Sequence, residues 1–315
     1  MAISAYPIRQ HADAVLHIDT DTPHWFLTGA GHIGTLAAWY LQCAGHRVTV
    51  LKPNAAPVRE ARIAFASDGR EQRMRLTVQA PSANGPPISH LIVACKTPYT
   101  AVALANVVLA PRATVVRLQN GMGSLDGHLP ADARLIEAVT TNAVRGDADV
   151  HRVVAENQTW MGDGGATPAW FESLARCWPG LCWAHDIRRP QWRKLIANAA
   201  INPLTALYDV PNGRLVDEPE LYAAMGAIVA EADALLKRLD PDWPGDSLSA
   251  VAALARASAA NCSSMRADMQ RGARTEIDAI NGWLLEQGAH LRMDMPVNQA
   301  VVERVHAATP ATALG

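Results

Sequence analysis

His24-Trp25-Phe26-Leu27-Thr28-Gly29-Ala30-Gly31-His32-Ile33-Gly34 decides the fold of the amino-terminal half. The first five residues read as a short strand, a glycine turn follows at once, and residues 35–44 are apolar at helical spacing. Strand, glycine turn and helix in that order form a dinucleotide fingerprint. Gly29 permits the tight turn. Gly31 lets the backbone approach a pyrophosphate resting on the helix N-terminus, and Gly34 lets the helix pack on the sheet. Ala30, His32 and Ile33 complete the cofactor-binding turn.

The next strand bears on which dinucleotide is bound. Arg47-Val48-Thr49-Val50-Leu51 ends at Lys52, where an NAD enzyme places Asp or Glu for the ribose 2′-hydroxyl. Arg59 and Arg62 stand close behind, and no acid precedes Glu60. Cations there suit a 2′-phosphate, so NADP(H) is favoured; the plain alternative is a solvated lysine at a strand end.

Further along, residues 88–95 and 113–118 read as buried strands, ending at Lys96 and at Gln119-Asn120-Gly121. A short helix is expected between them, over residues 100–109. Continuous apolar strands separated by helices imply a parallel sheet covered on both faces. Residues 134–144 and 152–162, rich in β-branched side chains, are expected to add strands at an edge, and residues 168–178 a helix. After Arg189-Pro190 the pattern becomes helical, over residues 191–207, 219–239, 248–260, 275–287 and 297–307. The expected fold is α/β: a Rossmann-type doubly wound parallel sheet over residues 23–188, followed by an all-α domain over 189–315. Residues 1–22 are an extension of unassigned role. A ligand then lies in the cleft outside the carboxyl ends of the strands, where Lys96 and Asn120 stand.

The helical half carries its own chemical signal. Lys194, Asn198 and Asn202 recur at i, i+4 spacing in an otherwise apolar helix, so they share one stripe. A polar stripe on such a helix meets water, a partner or a ligand, because unpaired burial costs a few kcal/mol. A lysine beside a cofactor site is a ready proton donor; the alternative is a lysine snorkelling to solvent. Gly272 is read as a helix stop, Thr275 as an N-cap and Asp278 as its capping-box partner. By spacing alone, Glu276 reads first as a dipole-favoured first-turn acid and Ser264 as a capping hydroxyl.

Size and charge narrow the class. The chain has 315 residues, 49% of them hydrophobic, and a net charge of −2. Neither a nucleic-acid footprint nor a membrane-binding basic face is present. Cys43, Cys95, Cys177, Cys182 and Cys262 are scattered, match no common metal signature, and are read as reduced packing residues of a cytoplasmic protein. No metal is expected.

Trp192-Arg193-Lys194-Leu195 with Asn198, Ile201-Asn202-Pro203-Leu204-Thr205-Ala206-Leu207 and Pro211-Asn212-Gly213 resembles the signature of the ketopantoate reductase (2-dehydropantoate 2-reductase) family. So do Asn261-Cys262-Ser263-Ser264-Met265, Thr275-Glu276-Ile277-Asp278 with Ile280-Asn281-Gly282, and Gln119-Asn120-Gly121-Met122-Gly123. With the glycine turn, the resemblance spans residues 24–306. It implies NADPH-dependent reduction of a 2-oxo acid, ketopantoate to pantoate, in pantothenate biosynthesis. Lys194 would be the general acid and Glu276 the group that binds the substrate hydroxyl and helps position the lysine. Ser264 would bind the substrate carboxylate. Asn198 and Asn202 would bind substrate and hold the lysine face, with Asn212 and Asn261 also counted as substrate-binding. Lys96 and Asn120 would sit by the nicotinamide, the glycines by the pyrophosphate and Lys52 by the 2′-phosphate. The family usually has arginine near the place of Lys52, and lysine lacks its bidentate fork. A homodimer is compatible with the helical domain. The competing readings are a β-hydroxyacid dehydrogenase of similar build and a non-catalytic NADP-binding sensor.

Overall fold

The computed structural model describes residues 22–309, so the extension expected over residues 1–22 lies outside the described residues except for Thr22. Among the described residues, eleven strands form one sheet: β1 (His24–Thr28), β2 (Arg47–Leu51), β3 (Val58–Phe65), β4 (Glu71–Gln79), β5 (Ile88–Val93), β6 (Leu109–Arg117), β7 (Arg134–Thr140), β8 (Ala143–Gly146), β9 (Val150–Ala155), β10 (Thr159–Gly162) and β11 (Leu181–Trp183). Their order is β11-β10-β7-β6-β5-β1-β2-β4-β3-β9-β8. The central pairs β2–β1, β1–β5, β5–β6 and β6–β7 are all parallel. Helices α1 (His32–Cys43), α2 (Thr100–Leu104) and α3 (Ala169–Cys177) complete this half. The fold is the expected α/β sheet followed by helices, but the sheet is mixed rather than wholly parallel: β3–β4, β7–β10 and β8–β9 pair antiparallel.

Parallel pairing has a direct consequence. The carboxyl ends of β1, β5, β6 and β7 all open on one side, delivering Gly29, Lys96, Asn120 and Thr140 to the same rim.

Several details differ from the sequence expectation, three of them in the sheet half. The β3–β4 hairpin was not foreseen. The short helix ends at Leu104, and Leu109 already belongs to β6. The strands expected at one edge divide between both: β7 and β10 lie near one end, β8 and β9 at the other. Yet β7 ends at Thr140 and β8 begins at Ala143, a link that spans at most about 11 Å. The sheet therefore curls, and α1 packs against β1, β2, β8 and β9 within the curl.

The helical half comprises α4 (Arg188–Leu207), α5 (Arg214–Asp217), α6 (Pro219–Leu239), α7 (Leu248–Ala257), α8 (Ser264–Gln270), a π-helical turn (Asp278–Gly282), α9 (Trp283–His290) and α10 (Pro296–Ala308). Among the described residues, no helix is long and apolar enough to cross a membrane. Helix α4 is the axis, packed by α6, α7, α8 and α10. Leu195, Ile196 and Leu204 are fully buried there, each contributing about 1.5–3 kcal/mol. Pro203 lies inside α4. Lacking an N–H, it leaves the Ala199 carbonyl without its helical donor. The buried Asn281 amide supplies one, at 3.0 Å, and also donates to Asn298 at 3.0 Å. The π-helical turn is thus bolted to the lysine helix at its proline.

Candidate active site

The glycine turn performs three separate tasks. Gly29 has φ +86°, and a Cβ there would come within 2.1 Å of the Cys95 nitrogen. A Cβ on Gly34 would lie 2.0 Å from the Gly29 carbonyl oxygen. Gly31 has open space instead, and as the N-cap of α1 it offers no side chain to the helix. The first-turn N–H groups of α1 consequently face that opening with no cap, as an anion-binding helix N-terminus requires.

A cavity of about 660 Å³ extends from this opening, lined among others by Gly31, His32, Lys52, Arg59, Asp147 and His151. Arg59 is committed to bracing it, donating to the carbonyls of Ala30 at 2.7 Å and of Ala148. Lys52 is exposed and has no ion pair among the described residues, so its charge is free for a ligand. An open glycine face, an uncapped helix and a free cation fit a phosphorylated dinucleotide. Across the cavity wall, His32 and His151 place their Nδ1 atoms 2.9 Å apart. His151 is 1% exposed, and burial foremost pushes its imidazole down to about 4.

The other half of the site lies at the rim where the sheet meets the helices. Lys194 of α4 donates from Nζ to the Thr140 carbonyl at 2.7 Å. Burial pushes its amine down to about 8; the Arg117 guanidinium adds to that fall and the Glu276 carboxylate opposes it. Glu276, itself buried, accepts from the Thr97 N–H at 3.2 Å and from the Asn120 amide at 3.0 Å. Lys96 forms a close ion pair with Asp268, a buried acid of α8 that also accepts from Arg271 at 2.9 Å. The structure therefore gathers Lys194, Glu276, Asn120 and Lys96 around one junction between sheet and helices.

Asn198 and Asn202 continue the stripe on α4, half-buried and buried respectively, with no side-chain hydrogen bond among the described residues. Ser263, not Ser264, caps α8: its Oγ accepts from the Arg266 N–H at 3.1 Å and from the Thr205 hydroxyl at 2.8 Å. Ser264 is left exposed at the start of α8, which packs on α4. Asn212 is buried and donates to Ser258 at 2.9 Å, while its N–H donates to the Asn261 carbonyl at 3.2 Å. These two asparagines brace one loop against another and form no hydrogen bond with the rest of the set.

Gly272 does stop a helix, at φ +64°. The expected cap at Thr275 does not form: the π-helical turn has no side-chain cap, and the Asp278 carboxylate meets His306 at 2.8 Å instead. The Glu276 side chain is drawn sideways by Thr97 and Asn120, so this segment serves the cleft before it serves the helix.

The sequence reading missed Gln119. It is buried, donates to the Cys95 carbonyl and the Thr100 hydroxyl at 2.8 Å each, and accepts from Ser124 at 2.7 Å. It thus ties the ends of β5 and β6 together beneath Asn120. Its only signal was its place beside that asparagine.

The fold and the comparisons with known proteins define an oxidoreductase of the nicotinamide-dinucleotide kind. Residues 25–165 match the family model described as ketopantoate reductase PanE/ApbA, and residues 186–309 match the model of that family's C-terminal region. The chain belongs to the ketopantoate reductase family. A 2-dehydropantoate 2-reductase of Archaeoglobus fulgidus is 30% identical over 89% of this chain and 95% of its own. The structure of a PanE/ApbA family ketopantoate reductase from Ralstonia eutropha JMP134 superposes with a TM-score of 0.78, at 24% identity, covering 90% of this chain and 98% of that one. The fold is also shared with D-mandelate dehydrogenase, solved with NADH and anilino(oxo)acetate, at a TM-score of 0.77 and 17% identity over 90% and 98% of the two chains.

Proposed function

We propose that this chain reduces ketopantoate to pantoate with NADPH, and that Lys194 is its general acid. The observation that carries the reading is the Lys194 amine, half-buried where α4 meets the carboxyl end of β7 and electrostatically coupled to Glu276. The glycine turn and Lys52 would hold the cofactor, with Lys52 favouring the 2′-phosphate form. When bound, the nicotinamide supplies the hydride that reaches the keto carbon.

The chain's own groups deal with the oxygen. As negative charge grows there, the Lys194 ammonium stabilises it and then hands over a proton, joining electrostatic stabilisation to general acid catalysis. The Thr140 carbonyl occupies one of the three ammonium donors, which leaves two for the substrate. Glu276, steadied by Thr97 and Asn120, accepts from a substrate hydroxyl and keeps the lysine charged. Ser264, Asn198 and Asn202 present unpaired polar groups for the substrate carboxylate and hydroxyl. Asn212 and Asn261 serve at one remove, by bracing the loops.

Absorbance at the reduced-cofactor band tests this. Oxidation of NADPH with ketopantoate, faster than with NADH and faster than with an aryl 2-oxo acid, is the expected result. Cofactor binding without turnover of any 2-oxo acid would mark a sensor instead.

A further inference from the structure

Strands β6 and β7 lie side by side in parallel, and their register sets Arg117 opposite Glu137. Arg117 is 2% exposed. Its Nε and Nη2 each approach Glu137 Oε2 at 2.7 Å, and its Nη1 donates to the Gly121 carbonyl at 2.8 Å. Burying such a pair is expensive, and apolar residues of similar volume often stabilise a fold as well or better. Its worth therefore lies in what it holds.

On one side it holds the turn after β6. Gly121 has φ +69°, and a Cβ there would come within 2.2 Å of the Ala279 carbonyl oxygen. The Met122 N–H donates to that same carbonyl at 2.8 Å, and Asn120 reaches Glu276. This turn is where the sheet docks on the π-helical segment. On the other side, three residues beyond Glu137, β7 ends at Thr140, the acceptor for Lys194. One guanidinium thus spans the two strand ends that carry the two halves of the site.

We propose that the Arg117–Glu137 pair is a positioning element for the Lys194–Glu276 site, a strut that fixes the carboxyl ends of β6 and β7 relative to one another. The inference rests on the proton-donor reading of Lys194. The charges in play are few: Glu276 and Arg117 act on Lys194, and Arg117 and Asp126 act on Glu137. Because Arg117 is one of the two charges acting on the lysine, the strut also has an electrostatic signature.

Two variants test it, each compared with the parent by thermal unfolding and by NADPH oxidation across pH. Arg117→Met with Glu137→Leu replaces the pair by apolar groups and leaves the Gly121 carbonyl without its donor. Misplacement of reacting groups then lowers kcat on the order of tenfold to a hundredfold, cofactor KM stays at the parental value, and the alkaline limb of the profile moves to higher pH. Arg117→Lys keeps the charge but loses the fork that reaches Glu137 and Gly121 together, so kcat falls while the limb stays in place. A folded double variant with parental kcat and an unmoved limb overturns the strut. Should the double variant fail to fold, parental kcat in Arg117→Lys overturns it. An inactive parent would instead refute the reductase reading.

Discussion

Lys194 Nζ lies 2.7 Å from the main-chain oxygen of Thr140, joining the central helix of one half to the last central parallel strand of the other. The contact orients the amine, and the surrounding protein strips away its water. Both effects suit the proposed role of a proton donor that works near neutrality.

The pH dependence follows. Burial lowers the Lys194 amine to about 8. The proposed donor is competent while protonated, so activity is expected below that value and expected to be lost as pH rises through it. The expected kcat/KM for ketopantoate reduction is level near pH 7 and falls about tenfold per pH unit well above pH 8. A rate level to pH 10 would contradict the assignment.

Lys52 is the residue proposed to set cofactor choice. It follows β2 at the cavity with no competing ion pair among the described residues, whereas Arg59 is held by two carbonyls. Lys52→Glu is expected to raise KM for NADPH on the order of tenfold, through charge repulsion of the 2′-phosphate, with NADH unaffected or improved. Equal loss with both cofactors would point to a structural role.

The buried histidine gives a stability signature. The folded state holds the His151 imidazole near 4, below its ordinary value of 6.5. Between those two values the unfolded chain binds the proton and the folded one does not, so stability falls as pH drops from about 6.5 to about 4. The loss is on the order of 3 kcal/mol. Urea unfolding at pH 7 and pH 4.5, parent against His151→Gln, should show a shallower acid loss in the variant. Identical slopes would exclude His151 as the source.

The most legible parts of the fold were those with strong periodicity. Strands β1, β2 and β5, and helices α4, α6 and α10, stand within three residues of their expected bounds. The β3–β4 hairpin was also readable in principle: Met74, Leu76 and Val78 alternate with Arg73, Arg75 and Thr77, and the apolar set is buried. The split of edge strands was not readable, because pairing partners depend on how the sheet curls around α1. At the site, spacing pointed to Lys194 and the strand ends to Asn120, whereas Glu276 came only with the family resemblance. Only the structure distinguishes Ser263 as the cap from Ser264 beside it, and only the structure pairs Lys96 with Asp268, Arg117 with Glu137 and His32 with His151. All three are contacts between residues at least 20 positions apart.

The decisive measurement is the turnover number of Lys194→Ala for NADPH oxidation with ketopantoate, taken alongside NADPH binding to the same variant. Removing the proton donor should lower kcat on the order of a hundredfold or more while cofactor affinity holds. Near-parental turnover in a variant that binds NADPH normally would contradict the account.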